Sequence, residues 1–195
     1  MIFSKNSNFD SFINRHTLLY GEADTKKTFY TAKFVQFLLE AKKVNPKDIS
    51  ILDFAPKLKK IKKLKIGGKI EDYYDKSLMC NNITFEGEII PPRLKSQSKA
   101  KLYEYACANF KKTDQLLKIF NENPTSILII NDISIYLHIG STTSILESIK
   151  QSNTFFGNTY YGHSIKSDYS TLFSLRERRL ANYLIKKIEY SYFTG

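Results

Sequence analysis

Gly21-Glu22-Ala23-Asp24-Thr25-Lys26-Lys27-Thr28 is the stretch on which the reading of this chain turns. Three of its residues match G-x-x-x-x-G-K-[ST], a loop whose backbone N–H groups cradle phosphates. Gly21, Lys27 and Thr28 stand in register, and Lys26 replaces the second glycine. The flanks fit that loop. His16-Thr17-Leu18-Leu19-Tyr20 reads as a short buried strand. Phe29 to Lys42 reads as a helix, with Phe34, Leu38 and Ala41 on one face. A helix N-terminus offers free N–H groups and partial positive charge to an anion. In that setting Lys27 would reach the β/γ-phosphates and the Thr28 hydroxyl would hold Mg²⁺.

The departures have costs. A lysine at position 26 forced into the left-handed region costs roughly 1–2 kcal/mol. Glu22 and Asp24 bring two carboxylates to an anion site. At ~8 Å and an effective dielectric of ~20, each repels a unit charge by about 2 kcal/mol before screening. The competing reading is a tight strand-to-helix turn that carries no ligand.

A chain of 195 residues suits one domain over 1–195, and 42% hydrophobic content can build a sizeable core. No run of about 18 apolar residues predicts a membrane span, and Cys80 and Cys107 lack metal-ligand spacing, which fits a reducing cytoplasm. Residues 1–15 place Phe3, Phe9, Phe12 and Ile13 on one face, as in a docking helix. The net charge of +11 points to an acidic partner such as nucleic acid, or to a solvated lysine-rich surface.

Further strands are expected at Ile49–Phe54, Ser126–Ile130 and Asn153–Phe156, and a hairpin or edge element over 83–90. Helices are expected over 98–121, 143–151 and 171–190. This alternation predicts an α/β three-layer sandwich around a mainly parallel sheet. Residues 57–98 form a basic insertion or irregular connection. Seven lysines fall between Lys57 and Lys69, with Leu58, Ile61 and Leu64 at three-residue spacing. A basic amphipathic helix could bind nucleic acid through Lys59, Lys60, Lys62 and Lys63. The favoured alternative is an exposed helix resting three apolar residues on the core.

Ile127-Leu128-Ile129-Ile130-Asn131-Asp132 supplies an acidic residue at the end of an apolar strand, where open α/β sheets bind ligands. Asp132 would join Thr28 on Mg²⁺, or cap the next turn. With the loop, Asp53 and Asn158, it resembles a RecA-type ATPase domain of the P-loop NTPase superfamily over roughly residues 16–190. The resemblance implies a strand between the loop strand and the acidic strand, in an order near 5-1-4-3-2. It implies Asp53 as general base, because Ile133 follows Asp132, and Asn158 as the polar sensor of the γ-phosphate.

Arg176 and Arg179, in Ser174-Leu175-Arg176-Glu177-Arg178-Arg179, are candidates for an arginine finger across a homo-oligomer or a related ATPase subunit. They could instead pair with nearby acids. Arg93 in Pro91-Pro92-Arg93 is another anion candidate, and Tyr160-Tyr161 could stack on a base or form a buried turn. The functions expected are ATP binding with weak or absent hydrolysis, a non-enzymatic nucleic-acid or protein binder on the same fold, or a small nucleotide kinase.

Overall fold

In the computed structural model, residues 9–61, 64–165 and 169–195 are described. Six parallel strands form the main sheet: β1 (His16–Gly21), β2 (Ile49–Asp53), β5 (Asn81–Ile83), β6 (Ile127–Asn131), β7 (Thr154–Tyr160) and β8 (Tyr190–Phe193). Their order is β5-β2-β6-β7-β1-β8. With the edge strand β5 set aside and the other five numbered along the chain, this is 5-1-4-3-2 read from the β8 side. β6 and β7 are buried throughout, as expected of strands covered on both faces.

Alternate residues of each strand feed two cores. Leu18, Leu128, Ile130 and Phe155 face a layer built by α3 (Lys99–Glu122), which follows the one-turn helix α2 (Pro92–Lys95), and by α4 (Ser134–Leu137), α5 (Thr142–Lys150) and α6 (Thr171–Lys187). Leu19, Ile127, Ile129 and Phe156 face α1 (Lys27–Glu40), which contributes Phe34, Val35 and Leu38. Phe34 stacks on Phe156 with ring centroids 4.4 Å apart. The α/β sandwich expected from the alternating pattern is therefore present. Phe12, in a short 3₁₀ turn at Phe9–Phe12, packs edge-on against Phe156 and Tyr192. The rest of the expected N-terminal docking helix, residues 1–8, lies outside the described residues.

Three expectations change. The basic segment is not a helix. β3 (Lys59–Ile61) and β4 (Leu64–Ile66) pair antiparallel, with Ile61 opposite Leu64. A helix would set Lys59 and Lys63 four residues apart, a repulsive spacing. The hairpin is closed at its root by Gly68 N–H donating to the Pro56 carbonyl (2.9 Å). Gly67, at φ 77°, lets the chain turn there; a Cβ would meet that carbonyl at 2.5 Å. Second, of the hairpin or edge element expected over 83–90, there is an edge and no hairpin: β5 is the edge strand of the sheet and ends at Ile83, and Ile90 exchanges its backbone bonds with the Asn109 side chain of α3 (3.1 and 2.7 Å). Third, the last helix ends at Lys187, and the aromatic run Tyr190–Phe193 adds an edge strand beside β1. No helix of the described residues is long and apolar enough to cross a membrane.

Candidate functional site

β1 delivers Gly21 to the C-terminal edge of the sheet, and α1 begins six residues later with its N-terminus at the same edge. Gly21 has no room for a side chain: a Cβ would lie 2.8 Å from Thr194 Oγ1 and 2.9 Å from the Gly195 carbonyl. Asp24 and Lys26 take left-handed backbone angles, φ 59° and 64°. Lys26 is the N-cap residue of α1 and makes no side-chain cap. The strain expected from a lysine in a glycine position is therefore built into the loop.

Lys27 folds back onto the loop. Its Nζ donates to the Gly21 carbonyl (3.0 Å), to the Glu22 carbonyl and to Thr25 Oγ1 (3.1 Å), which uses all three of its donors. Burial lowers its pKa to about 8 against the pull of Asp132, Glu22 and Asp24. Glu22 does not line the cavity that the loop borders. Its carboxylate accepts from His163 N, Ser164 N and Ser164 Oγ, and so fastens the 160–165 segment. Burial opposes its charge, but these bonds outweigh burial and hold it below the usual carboxylate range. Gly162 permits the approach, since a Cβ would fall 2.2 Å from Glu22 Cδ.

Behind the loop lies a network of amides that sequence reasoning missed. Thr28 Oγ1 donates to Asn131 Oδ1 (3.1 Å), not to Asp132. The same oxygen accepts from Asn158 Nδ2 (2.8 Å), which also donates to Thr31 Oγ1 (2.9 Å). Asn131 Nδ2 donates to Asp53 Oδ1 (2.9 Å) and to the Gly68 carbonyl (3.0 Å). Asn131, fully buried, thereby fills both donor and both acceptor capacities. Asn158 lies within β7 rather than beyond it, and its Oδ1 accepts from Asp132 N (3.1 Å).

Asp53 joins this network as a brace. Ala55 N and Asn131 Nδ2 bind Oδ1 (3.1 and 2.9 Å), and Ile70 N binds Oδ2 (2.8 Å). Lys69 Nζ lies 3.5 Å from Oδ1. These contacts hold the root of the β3–β4 hairpin. Asp132 follows β6 in a left-handed conformation, φ 59°, and accepts from Ser134 Oγ (2.5 Å). Burial raises the pKa of both aspartates, against the nearby Lys69 for Asp53 and the Ser134 hydrogen bond for Asp132.

These elements enclose a cavity of about 350 Å³. Asp24, Thr25, Lys26, Lys27, Thr28, Asp132 and Asn158 form its polar side, so of the loop's two carboxylates Asp24 does line the cavity. Phe29 and Tyr73, in edge-to-face contact at 6.1 Å, form an aromatic wall. Asp53 is not among the lining residues, although Ala55 and Gly67 beside it are.

A second, ionic cluster lies beyond Asp132. Arg93 makes a bidentate pair with Glu177 (2.6 and 2.9 Å), and His138 Nε2 lies 3.3 Å from the same carboxylate. Arg93 also stands over the Tyr160 ring at 5.2 Å, and Tyr160 is buried while also lining the cavity. Arg176 is committed to the carbonyls of His138, Ile139 and Gly140 (3.2, 2.6 and 2.8 Å). Arg179 is exposed on the outer face of α6. The structure therefore does not bring either arginine into the cavity of its own chain. Lys62 and Lys63 lie outside the described residues, as do the side chains of Lys59 and Lys60.

No protein-family model matches the chain, and no curated protein matches it.

Proposed function

We propose that the chain binds ATP with Mg²⁺ on residues 21–28 of a RecA-like P-loop domain, and hydrolyses it slowly or not at all. The observation that carries the reading is the Thr28-to-Asn131 hydrogen bond (3.1 Å) beneath a helix N-terminus, at the C-terminal edge of a parallel sheet. The 5-1-4-3-2 order of β8-β1-β7-β6-β2 supports the same architecture. Phosphate oxygens would replace the loop acceptors as partners of Lys27. Phe29 and Tyr73 offer a face to the base.

The Thr28 hydroxyl and Asp132 carboxylate line the cavity and are hard oxygen donors that suit Mg²⁺. Bound there, the metal would supply positive charge to the phosphates. Asn131 adds no charge behind Thr28, so metal affinity leans on Asp132 and on the phosphates themselves. Asp53 has both oxygens committed to the hairpin root, which argues against its use as a general base. Asn158 lines the cavity, but its Nδ2 donates to Thr31 and Asn131 and its Oδ1 accepts from Asp132 N, which argues against its use as a γ-phosphate sensor in this arrangement.

Calorimetry with Mg-ATP, ADP and GTP tests the reading. Lys27→Ala should lower ATP affinity at least tenfold, since it deletes the phosphate-facing charge. Equal affinities for wild type and variant overturn it. A second reading is favoured by the strained Lys26 and by a Lys27 already satisfied within its loop. There the fold is non-enzymatic, and the basic surface binds nucleic acid or a protein. Steep salt dependence of oligonucleotide binding, with no nucleotide binding, would favour it. A small nucleotide kinase is the third proposal, tested by adding nucleoside monophosphates as acceptors. A reducing, cytoplasmic setting belongs to the proposal and rests on the free cysteines Cys80 and Cys107.

A further inference from the structure

α6 carries Arg176, Arg178, Arg179, Lys186 and Lys187 but a single acid, Glu177. That acid is turned inward and buried against Arg93 and His138. The outer face of the helix therefore shows cations and no carboxylate. Leu172, Leu175, Arg179, Tyr183 and Lys186 follow one another at spacings of three to four residues, which puts them on that one face, and all are exposed. Leu172 and Leu175 are 68% and 51% exposed. The apolar part widens at the start of the helix. Tyr169 is exposed just before it, and exposed Tyr103 of α3 reaches the same corner, edge-on against Phe173 with ring centroids 5.8 Å apart. Glu104, beside Tyr103, is paired with Lys101 (2.8 Å). On its inner side α6 buries Phe173, Ala181 and Leu184. The helix thus has two apolar faces, one in the core and one in water.

We infer that this outer face of α6 lies on an anionic lipid surface, with Leu172 and Leu175 at the acyl boundary and the cations among the headgroups. The inference goes beyond nucleotide binding and does not depend on it. An exposed apolar cluster rimmed by charge marks an interaction surface. The phosphates of a nucleic acid would satisfy the cations but give the two leucines no apolar medium. A lipid surface gives both: an interfacial helix sinks its apolar residues about 5–10 Å and keeps its Lys and Arg charges at the headgroups. The long stems of Arg179 and Lys186 let their charges stay at that level while the leucines go deeper. Tyr103, Tyr169 and Tyr183 suit the same boundary, each being an apolar ring with a polar tip. The net charge of +11 adds long-range attraction to an anionic leaflet. Because α6 and α1 cover opposite faces of the sheet, the α1 layer stays in water.

Vesicle co-sedimentation without nucleotide tests the contact, so its result is separate from that of the ATP titrations. The wild-type chain should pellet with vesicles of equal parts phosphatidylglycerol and phosphatidylcholine, and stay in solution with phosphatidylcholine alone. The double change Leu172→Ser and Leu175→Ser should weaken binding by about tenfold or more. Arg179→Gln and Lys186→Gln should each weaken it about fivefold. These side chains are exposed, so the thermal melts should stay in place. The chain has no tryptophan, so Leu172→Trp supplies a single emitter on this face. Its emission should shift to the blue with the anionic vesicles and be quenched by brominated acyl chains. No pelleting with anionic vesicles, binding that survives loss of both leucines, or a tryptophan emission that the vesicles leave unchanged would each overturn the inference. If vesicles fail while an oligonucleotide or a second copy of the chain binds in a leucine-dependent way, the face belongs to that partner instead.

Discussion

The two polar clusters that flank Asp132 solve burial in opposite ways. On the cavity side, Thr28, Asn131, Asn158 and Thr31 form a neutral network in which Asn131 meets four partners. On the far side, Arg93, Glu177 and His138 form a buried ionic cluster that leaves His138 Nδ1 without a partner among the described residues. The neutral network fixes geometry without adding charge where a triphosphate would lie. The ionic cluster fastens α6 to the Pro91–Arg93 segment and keeps its charges off the cavity. It is also the more fragile of the two, because removing one ion strands the other in low dielectric.

Breaking the ionic cluster should therefore have the largest effect. Glu177→Leu leaves Arg93 buried without its anion and should cost about 3–5 kcal/mol in denaturant unfolding. The pH dependence should separate the clusters further. Burial opposes the Glu177 charge, but Arg93 and His138 outweigh it and hold the carboxylate below its ordinary 4.5. Its stabilisation is present above 4.5 and is lost as pH falls through the folded value. Asp132 behaves in reverse: burial raises its pKa, so its contribution falls away as pH rises through that raised value. Acid titration of Glu177→Leu should lose the steep acid limb of the wild type. An unchanged limb would mean that other carboxylates control acid unfolding.

Removing the neutral hub should come next. Asn131→Leu strands the Thr28 hydroxyl, one Asn158 donor and the Gly68 carbonyl, at roughly 3 kcal/mol. Asn131→Asp sharpens the contrast, since it places a second carboxylate against Asp53. That variant should be less stable than wild type without metal, yet bind Mg-ATP more tightly. Calorimetry and melting curves on the same samples would show whether stability and affinity move in opposite directions.

The role of Asn131 was one residue away from being legible. Strand β6 was readable from its apolar run, but where it ends decides whether Asn131 or Asp132 meets Thr28, and side-chain pattern does not fix a strand end. The loop and α1 were legible because strand, glycine, lysine and helix are all local signals. The basic hairpin was not, because Leu58, Ile61 and Leu64 fit a helix spacing while the decisive closure, Gly68 to Pro56, joins residues far apart in sequence. Strand β8 was hidden for a similar reason: Tyr190–Phe193 becomes a strand only by pairing with β1. Asp53 reads as catalytic from its position alone, and its hydrogen bonds to Ala55, Ile70 and Asn131 are visible only once the fold brings those residues together.

A smaller effect should come from Lys27. Burial depresses its pKa to about 8 from 10.5. Between those values the unfolded chain holds a proton that the folded chain has released, so stability contributed by this group rises as pH climbs from about 8. In Lys27→Met that rise should vanish, leaving a flatter melting temperature from pH 8 to 10 than in wild type. Parallel curves for the two proteins would place the ammonium in water rather than against the loop carbonyls.

The smallest expected change tests the loop's own strain. Lys26 holds φ 64° without a side-chain cap, so its contribution to the neutral side of the comparison is a cost. Lys26→Gly removes the Cβ penalty and should stabilise the fold by about 1 kcal/mol, less the greater entropy glycine gives the unfolded chain. It also clears a side chain from the cavity wall, so ATP affinity should rise with stability. Lys26→Ala separates the two terms: it clears the long side chain but keeps the Cβ, and should raise affinity without the full gain in stability. If Lys26→Gly lowers ATP affinity, the lysine charge at this position outweighs its strain. The divergent loop would then be an anion site that uses lysine where a glycine loop relies on backbone alone.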